Sequence, residues 1–395
     1  MDIRLSSRVQ RIRPSATLAV TALANQLKAQ GRDVVGLGAG EPDFDTPEHI
    51  KQAAVDAMRA GDTKYTPVDG TITLKRAIIE KFHKDNGLDY ALDQVLVSCG
   101  GKQSFYNLCQ ALLDADDEVI IPAPYWVSYP DMALLADARP VFIPTSQEQG
   151  FKITPEQLRE NLTPRTRLMV LNSPSNPTGA AYTASELEAL AEVLMSHPDV
   201  IVATDDMYEH IMFGGTAFIN ILNVCPELND RTIVLNGVSK SYAMTGWRIG
   251  YAGGPRPLIK AMTKVQSQST SNPCSIAQAA AAAALTGDQA CVEAMRVAFE
   301  KRHDYVVAAL NKINGISCLP SAGTFYCFPS VRGVIEHMPG MENDIALAEY
   351  LLDKGGVALV PGAAFGGHGH LRISFATDMA TLEKAIARIA AAVSP

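Results

Sequence analysis

The chain has 395 residues, of which 47% are hydrophobic and 19% charged, and its formal net charge is −8. That length predicts two or so domains with sizeable cores, and the acidic balance gives no reason to expect nucleic acid or an anionic membrane as partner. An anionic ligand would need a local cluster of donors. The first residues, MDIRLSSRVQRIRPSATLAV, show no long apolar run before a cleavage site, and no stretch of about eighteen apolar residues predicts a membrane span. A cytoplasmic location is the expectation. Seven cysteines (Cys99, Cys109, Cys225, Cys274, Cys291, Cys318 and Cys327) are odd in number, widely spread and free of any C-x-x-C pair. They argue against a disulfide framework or a zinc site, and for buried reduced thiols.

The N-terminal stretch ends in a turn-rich motif, GAGEPDFDTP. EHIKQAAVDAMRAG (48–61) and TLKRAIIEKFHKDNG (73–87) have helical spacing and a glycine stop. Strands and helices then alternate. QVLVSCGG, DEVIIPAP, RPVFIP, RLMVLNSP, DVIVATDD and RTIVLNG read as strands. KQSFYNLCQALLD and ASELEALAEVLMSH (184–197) read as helices between them. Several strands are apolar on both faces, which predicts a mainly parallel sheet buried between helix layers. The alanine-rich IAQAAAAAAL (276–285) reads as a close-packed helix at a subunit contact. Beyond Thr286 come a long helix (289–313), short strands in GTFYCFP, VALVPG and HLRISFA, and a last helix in ATLEKAIARIAAAV. This is the pattern of a smaller α+β unit, joined by the N-terminal arm. The division expected is 46–296 for the large domain, with 1–45 and 297–395 forming the small one.

In a parallel sheet, ligands sit beyond the carboxyl ends of the strands. Gly100 and Gly101 lie between a strand and a helix start, where backbone amides make either a phosphate cradle or a plain tight turn. Asp205 and Asp206 end an apolar strand. Paired acids there serve as metal ligands, as a helix N-cap (for Asp206), or as the partner of a basic ring nitrogen, a role that requires a depressed pKa. No histidine cluster accompanies them, so no metal is expected. NGVSKSYAMTGWRIGY places Lys240 among small and hydroxyl residues, with no acid in the stretch and with Arg248 downstream. Lys240 is either a solvated loop lysine or a nucleophile, its pKa lowered by apolar surroundings and a neighbouring cation. Arg248 clamps phosphate as a planar fork, with the hydroxyls of Ser239, Ser241 and Thr245 beside it. A lysine for an aldehyde, an acid for a pyridinium and donors for a phosphate are together the requirements of pyridoxal 5′-phosphate.

The motifs PSAT, GEPDFDTP, GGKQ, PYWVSYP, NPTG and MTGWRIGY give the chain a whole-length resemblance to class I, fold-type I aminotransferases that use pyridoxal phosphate. Among these it most resembles the bacterial aspartate aminotransferases. The resemblance implies a large domain with a seven-stranded, mainly parallel sheet and a smaller α+β domain. It implies that Lys240 bonds the cofactor aldehyde and shuttles a proton, that Asp205 meets the pyridine nitrogen, and that Tyr208 and Asn176 donate to the ring oxygen. Trp126 is the stacking aromatic, and Gly100, Gly101, Lys102, Ser239 and Arg248 fall in the phosphate-binding motifs. Tyr65 resembles the tyrosine that reaches the phosphate of the neighbouring subunit, which makes a homodimer obligatory. Arg372 resembles the clamp for the substrate α-carboxylate, with Gly40, Asn176 and Trp126 beside it. Two departures stand out. Gly237 replaces a phosphate-binding hydroxyl of some relatives, and no second arginine is evident for a distal carboxylate. Lys102, with Arg13 and Thr17 of the arm, is the candidate for that end. The implied reaction is ping-pong transamination between L-aspartate and 2-oxoglutarate. Prephenate, aromatic amino acids or alanine are alternative substrates, and a lyase or a non-catalytic regulator is a more distant reading.

Overall fold

The computed structural model describes residues 3–394. Seven strands form the main sheet in the spatial order Val95–Ser98, Gly250–Gly253, Thr232–Gly237, Ile201–Asp205, Thr166–Asn172, Glu118–Ala123, Arg139–Pro144. Only Gly250–Gly253 runs antiparallel to its neighbours. Period-two alternation sends successive side chains to opposite faces. Val95, Val97, Ile120, Met169, Leu171, Val202 and Val234 join one apolar cluster, whereas Leu96, Val119, Ile121, Leu168, Val170, Ala203 and Ile233 join another. Both faces are thus dry, which is why these strands read as continuous apolar runs. That leaves the polar residues at their carboxyl ends to face a ligand.

A third cluster is built from Val35, Leu37, Phe299, Phe325, Val357, Ile373 and Ile389. It lies under a small antiparallel sheet, Val360–Pro361, Leu371–Ser374, Tyr326–Cys327. Val35–Gly36 pairs in parallel with Val357–Ala358, tying the N-terminal segment to this unit. The long helix Ala290–Leu310 crosses between the two cores, with Val292 in the first and Met295 in the third cluster. We propose the domain division 46–296 against 1–45 with 297–395, a boundary that falls inside this one helix.

Helix Glu48–Arg59 and helix Ile72–Asn86 form where helical spacing predicts them, the second stopped by Gly87 in the left-handed conformation. Among the elements that escape the sequence reading are helices Ala16–Ala29, Ser128–Leu135, Arg256–Ser267 and Asp344–Tyr350 and the strand Gly250–Gly253. The strand is short and glycine-flanked, so it carries little of the β-branched signal of its neighbours. The close packing expected of the alanine-rich segment is seen, and the expectation of buried thiols needs correction. The alanine-rich helix, Ser275–Thr286, buries Ala277, Ala280, Ala281, Ala282 and Ala284 against helices Glu48–Arg59 and Ile72–Asn86 of the same chain. Its small residues therefore serve intramolecular packing. Of the thiols, only Cys109, Cys318 and Cys327 are buried. Cys274 is exposed at the N-cap of the alanine-rich helix, and Cys99, Cys225 and Cys291 are partly exposed in loops or at a helix start.

Gly250 stands where its strand passes the turn after Val95–Ser98. A Cβ there would lie 2.2 Å from Gly101 N and 2.4 Å from Gly100 C. Those contacts are with backbone, which cannot swing aside. Gly250→Ala is expected to cost at least about 1–3 kcal/mol, the usual penalty for overpacking, whereas Gly246→Ala, with open space around its Cβ, should not. Thermal unfolding of the two variants checks this; equal stability of both would remove the close-approach argument.

Candidate active site

A cavity of about 360 Å³ opens between the carboxyl ends of the sheet and the small unit. Lys240 lies just beyond strand Thr232–Gly237, and its Nζ donates to Gly40 O at 2.5 Å. Burial pushes its pKa down from 10.5 to about 8, assisted by Arg372 and Arg248 and opposed by Glu41 and Asp205. The solvated-loop alternative for Lys240 does not describe this amine. The Phe325 ring lies 5.9 Å from it.

Asp205 ends strand Ile201–Asp205 and faces the cavity. Its Oδ2 accepts from Tyr129 OH at 2.5 Å and its Oδ1 from Met207 N at 3.3 Å. The depressed pKa expected for it is not observed. Desolvation raises the Asp205 pKa, outweighing the hydrogen bonds from Tyr129 and Met207 and the charge of Lys240. Among the described residues no cation pairs with this carboxylate, since the Lys240 amine is bonded to Gly40 O. Asp206 turns the other way and is 2% exposed. It accepts from Thr204 Oγ1 at 2.5 Å and from Asn220 Nδ2 at 2.6 Å rather than capping a helix. Burial, with the charge of Glu209, pushes it up to about 8.

Tyr208 OH lies 3.1 Å from Tyr326 OH. Arg372 is 2% exposed and is held by Asn176 Oδ1 at 3.0 Å and Gly38 O at 2.7 Å. Its guanidinium lies over the rings of Tyr326 and Phe365 at 4.4 and 4.9 Å. Its Nε, though buried, has no partner among the described residues. A buried, aromatic-braced guanidinium with a free donor is a ready carboxylate clamp.

At the opposite end lie Gly101, Lys102, Ser239, Thr245 and Arg248. Helix Gly101–Leu112 starts there, and its first amides are the unpaired ones of any helix N-terminus. Gly100 has φ +90°, and a Cβ on it would meet Arg248 Nη2 at 2.3 Å. Arg248 is oriented by donating to Thr245 O at 2.7 Å. Gly237, the departure from relatives with a hydroxyl, leaves only a tight space for a side chain. A Cβ there would lie 3.0 Å from Ile249 O and 3.1 Å from Gly250 Cα. Lys102 Nζ sits 5.1 Å from the Trp126 ring, and burial lowers its pKa, with Arg248 adding to the shift.

Of the residues singled out from sequence, Thr17, Gly40, Gly101, Lys102, Trp126, Asn176, Asp205, Tyr208, Ser239, Lys240, Arg248 and Arg372 line this one cavity. Gly100, Arg13 and Tyr65 do not. Gly100 shapes the turn from behind, exposed Arg13 lies beside Asp131 and Tyr125, and Tyr65 is 93% exposed. Ser241 is buried off the cavity. Sequence reasoning passes over Tyr326, Glu41 and Asn172, which also line it. Tyr326 lies in a strand whose apolar neighbours mask it. Glu41 is adjacent to Gly40 in the quoted GAGEPD, and its Oε2 accepts from Thr245 Oγ1 at 2.8 Å. Asn172 caps the carboxyl end of its strand, accepting from Asn176 N at 2.8 Å and donating to Asp205 O at 2.9 Å.

A family model described as aminotransferase class I and II matches residues 32–389. An aspartate/prephenate aminotransferase of Nitrosomonas europaea is 58% identical, over 99% of this chain and 100% of its own. The solved aspartate aminotransferase from Rhizobium meliloti superposes with a TM-score of 0.96 at 50% identity, covering 99% of both chains. That from Thermus thermophilus, solved with maleate, gives 0.93 at 44% identity, covering 99% of this chain and 100% of its own. Sheet order, cavity and match agree, and the chain belongs to the class I and II aminotransferases.

Proposed function

We propose that this aminotransferase uses pyridoxal 5′-phosphate to move the amino group of L-aspartate to 2-oxoglutarate in a ping-pong cycle, with prephenate as a further acceptor. The observation that carries this is the Lys240 amine, brought to about 8 in a cavity whose other walls hold the Asp205 carboxylate and the Arg372 guanidinium. Support for the substrates comes from the aspartate/prephenate relative and from the neighbour solved with maleate, a dicarboxylate.

The donor set fits the cofactor. Gly101 amide, Ser239, Thr245 and Arg248 would hold its phosphate at the helix start, and Gly100 must lack a Cβ for Arg248 to stand there. Trp126 would cover the ring, Asp205 would keep a proton on its nitrogen, and Tyr208 and Asn176 would donate to its oxygen. Once bound, the cofactor supplies an aldehyde for a primary amine and a conjugated ring that draws electron density from the substrate Cα. Arg372 binds the α-carboxylate with its free Nε and terminal amino groups, fixing the Cα position. Lys240 Nζ, neutral above about pH 8, would take the Cα proton and, as ammonium, deliver it to the cofactor side within the same half-cycle, and the opposite half-cycle would run that transfer in reverse. Lys102, Arg13 and Thr17 would meet the distal carboxylate. Tyr65, so fully exposed in one chain, would serve the phosphate site of a second copy in a homodimer. A cytoplasmic location belongs to the same reading; no described helix is long and apolar enough to cross a membrane.

Reduction of the cofactor-loaded enzyme with borohydride is expected to fix the cofactor mass to the Lys240 peptide; another lysine would overturn the assignment. In the apoenzyme, alkylation of Lys240 should half-appear near pH 8, not at the 10.5 of an ordinary lysine. The folded chain holds this proton less tightly than the unfolded one. The Lys240 contribution to stability is therefore lowest below about pH 8 and recovers as pH rises toward 10.5.

Asp205→Ala should lower kcat roughly a hundredfold or more by removing the ion partner of the ring nitrogen. Asp206→Asn mimics the protonated form that burial favours, and should stay within a few-fold of wild type. Equal losses would mean that the two acids do not divide as drawn.

Lys102→Ala should lower kcat/KM for aspartate and 2-oxoglutarate roughly ten- to a hundredfold, the worth of a charge-assisted hydrogen bond. Alanine as donor should be little affected, and Arg13→Ala should depress prephenate more than aspartate. Uniform losses across charged and neutral substrates would assign Lys102 to the cofactor instead.

A further inference from the structure

A second set of buried polar groups lies behind the cavity wall. Glu209 and Lys81 form an ion pair with both side chains 3% exposed. Asn86 completes a triangle, accepting from Lys81 Nζ at 2.7 Å and donating to Glu209 Oε2 at 2.6 Å. Asn236 Nδ2 donates to Glu209 Oε1 at 2.7 Å, and Asn236 Oδ1 accepts from Gly237 N at 2.7 Å. His210 Nε2 stands 3.5 Å from Glu209 Oε1. Burial alone would raise the Glu209 pKa, but Lys81 foremost, then His210 and the hydrogen bonds, hold it below the usual range. None of these residues lines the cavity.

The positions of the two bridged segments give the network its meaning. Glu209 follows Tyr208 in the turn that comes directly after Asp205. Asn236 lies near the carboxyl end of the adjacent strand, just before Ser239 and Lys240. The backbone ladder joins these strands only as far as Asp205 and Leu235. Beyond that point the turn Asp206–His210 leaves the sheet, whereas Asn236 and Gly237 stay paired with Tyr251 and Gly250 on their other side; a further backbone bond runs from Asp206 N to Leu235 O at 2.9 Å. The Glu209–Asn236 bond continues the connection where the ladder stops. A full charge anchors it, and Lys81 secures that charge from helix Ile72–Asn86.

We propose that Glu209, held by Lys81 and bonded to Asn236, is a positioning residue that sets the spacing between the Asp205–Tyr208 turn and Lys240. It touches neither substrate nor cofactor; it fixes how far the proton-moving amine stands from the acid and the tyrosine. This rests on the roles proposed above for Asp205, Tyr208 and Lys240. Arg372 and Lys102 sit on other elements, so substrate capture is independent of it.

The test uses the loaded full-length enzyme with two variants. Asn236→Leu cuts the bridge and leaves the Lys81–Glu209 pair intact. The double variant Lys81→Met, Glu209→Gln removes both buried charges together, since removing one alone would strand the other. Three measurements are made on each: the aspartate half-reaction in a single turnover, KM for aspartate, and the pH midpoint of the cofactor absorption band. The expected result for both is a kcat loss of roughly ten- to a hundredfold, the usual cost of a small misplacement of reacting groups. KM should stay within about twofold, and the midpoint should move by about half a unit or more as the Asp205–Lys240 distance changes. A purely structural role would lower stability and leave the midpoint of the folded enzyme in place. A wild-type midpoint with near-normal kcat, or a loss confined to KM, in whichever variant folds, overturns the proposal. Wild-type enzyme whose absorption does not respond to aspartate would instead overturn the reading of the function.

Discussion

An amine whose pKa burial brings down to about 8, inside a cavity that also holds two guanidinium groups, sets the terms for the rest of this site. Desolvation is the largest influence on Lys240, and the fields of Arg372 and Arg248 add to it. Crowding cations in this way is costly unless each is otherwise secured. Arg372 is secured by two carbonyl-type oxygens and two aromatic faces. Arg248 is secured by the Thr245 carbonyl. With Lys102, the cavity gathers four basic groups against the carboxylates of Asp205 and Glu41. A chain of net charge −8 thus keeps a local surplus of positive charge, and anionic ligands complete it.

The surplus is possible because the groups come from different elements. Lys240 and Arg248 flank the ends of two sheet strands, Lys102 opens a helix, and Arg372 rises from the small antiparallel sheet. None has to be folded next to another in sequence. Glycine makes the approach close enough: Gly250 and the Gly100–Gly101 turn meet at distances that exclude a Cβ, and the Arg248 side chain occupies the space beside Gly100. The weak strand character of Gly250–Gly253 and the position of Arg248 are two consequences of the same requirement.

Much of this is legible in the sequence, and the illegible part has a common cause. Strands buried on both faces announce themselves by composition, and turns at their ends by polar residues after apolar runs; Asp205, Lys240 and the two glycines are found that way. The resemblance extends the reading to Arg372 and Asn176, which local pattern does not single out. What stays hidden depends on convergence in space. Tyr326 is one aromatic among several in GTFYCFP until Tyr208 and Arg372 are seen against it. Lys81 and Glu209 belong to a helix and a turn far apart in the chain, and each alone reads as a surface charge. The Asp205 pKa is hidden for a further reason: sequence reasoning supplies the partner the acid is meant to have, whereas the protein alone supplies mainly the desolvation.

The two adjacent aspartates show how far geometry separates identical chemistry. At the end of an extended strand, successive side chains point to opposite sides. Asp205 therefore reaches the cavity and Asp206 the core. In the core, Thr204 and Asn220 solvate Asp206 with two hydrogen bonds, and the charge of Glu209 nearby disfavours a second anion, so the acid keeps its proton to about pH 8. Glu209 can remain ionised in equal isolation because Lys81 stands in contact with it. Burial raises all three carboxyls, and the contact each makes decides the outcome. Asp205, alone of the three, lines the cavity. Its raised pKa follows from burial that the hydrogen bonds from Tyr129 and Met207 and the charge of Lys240 do not offset.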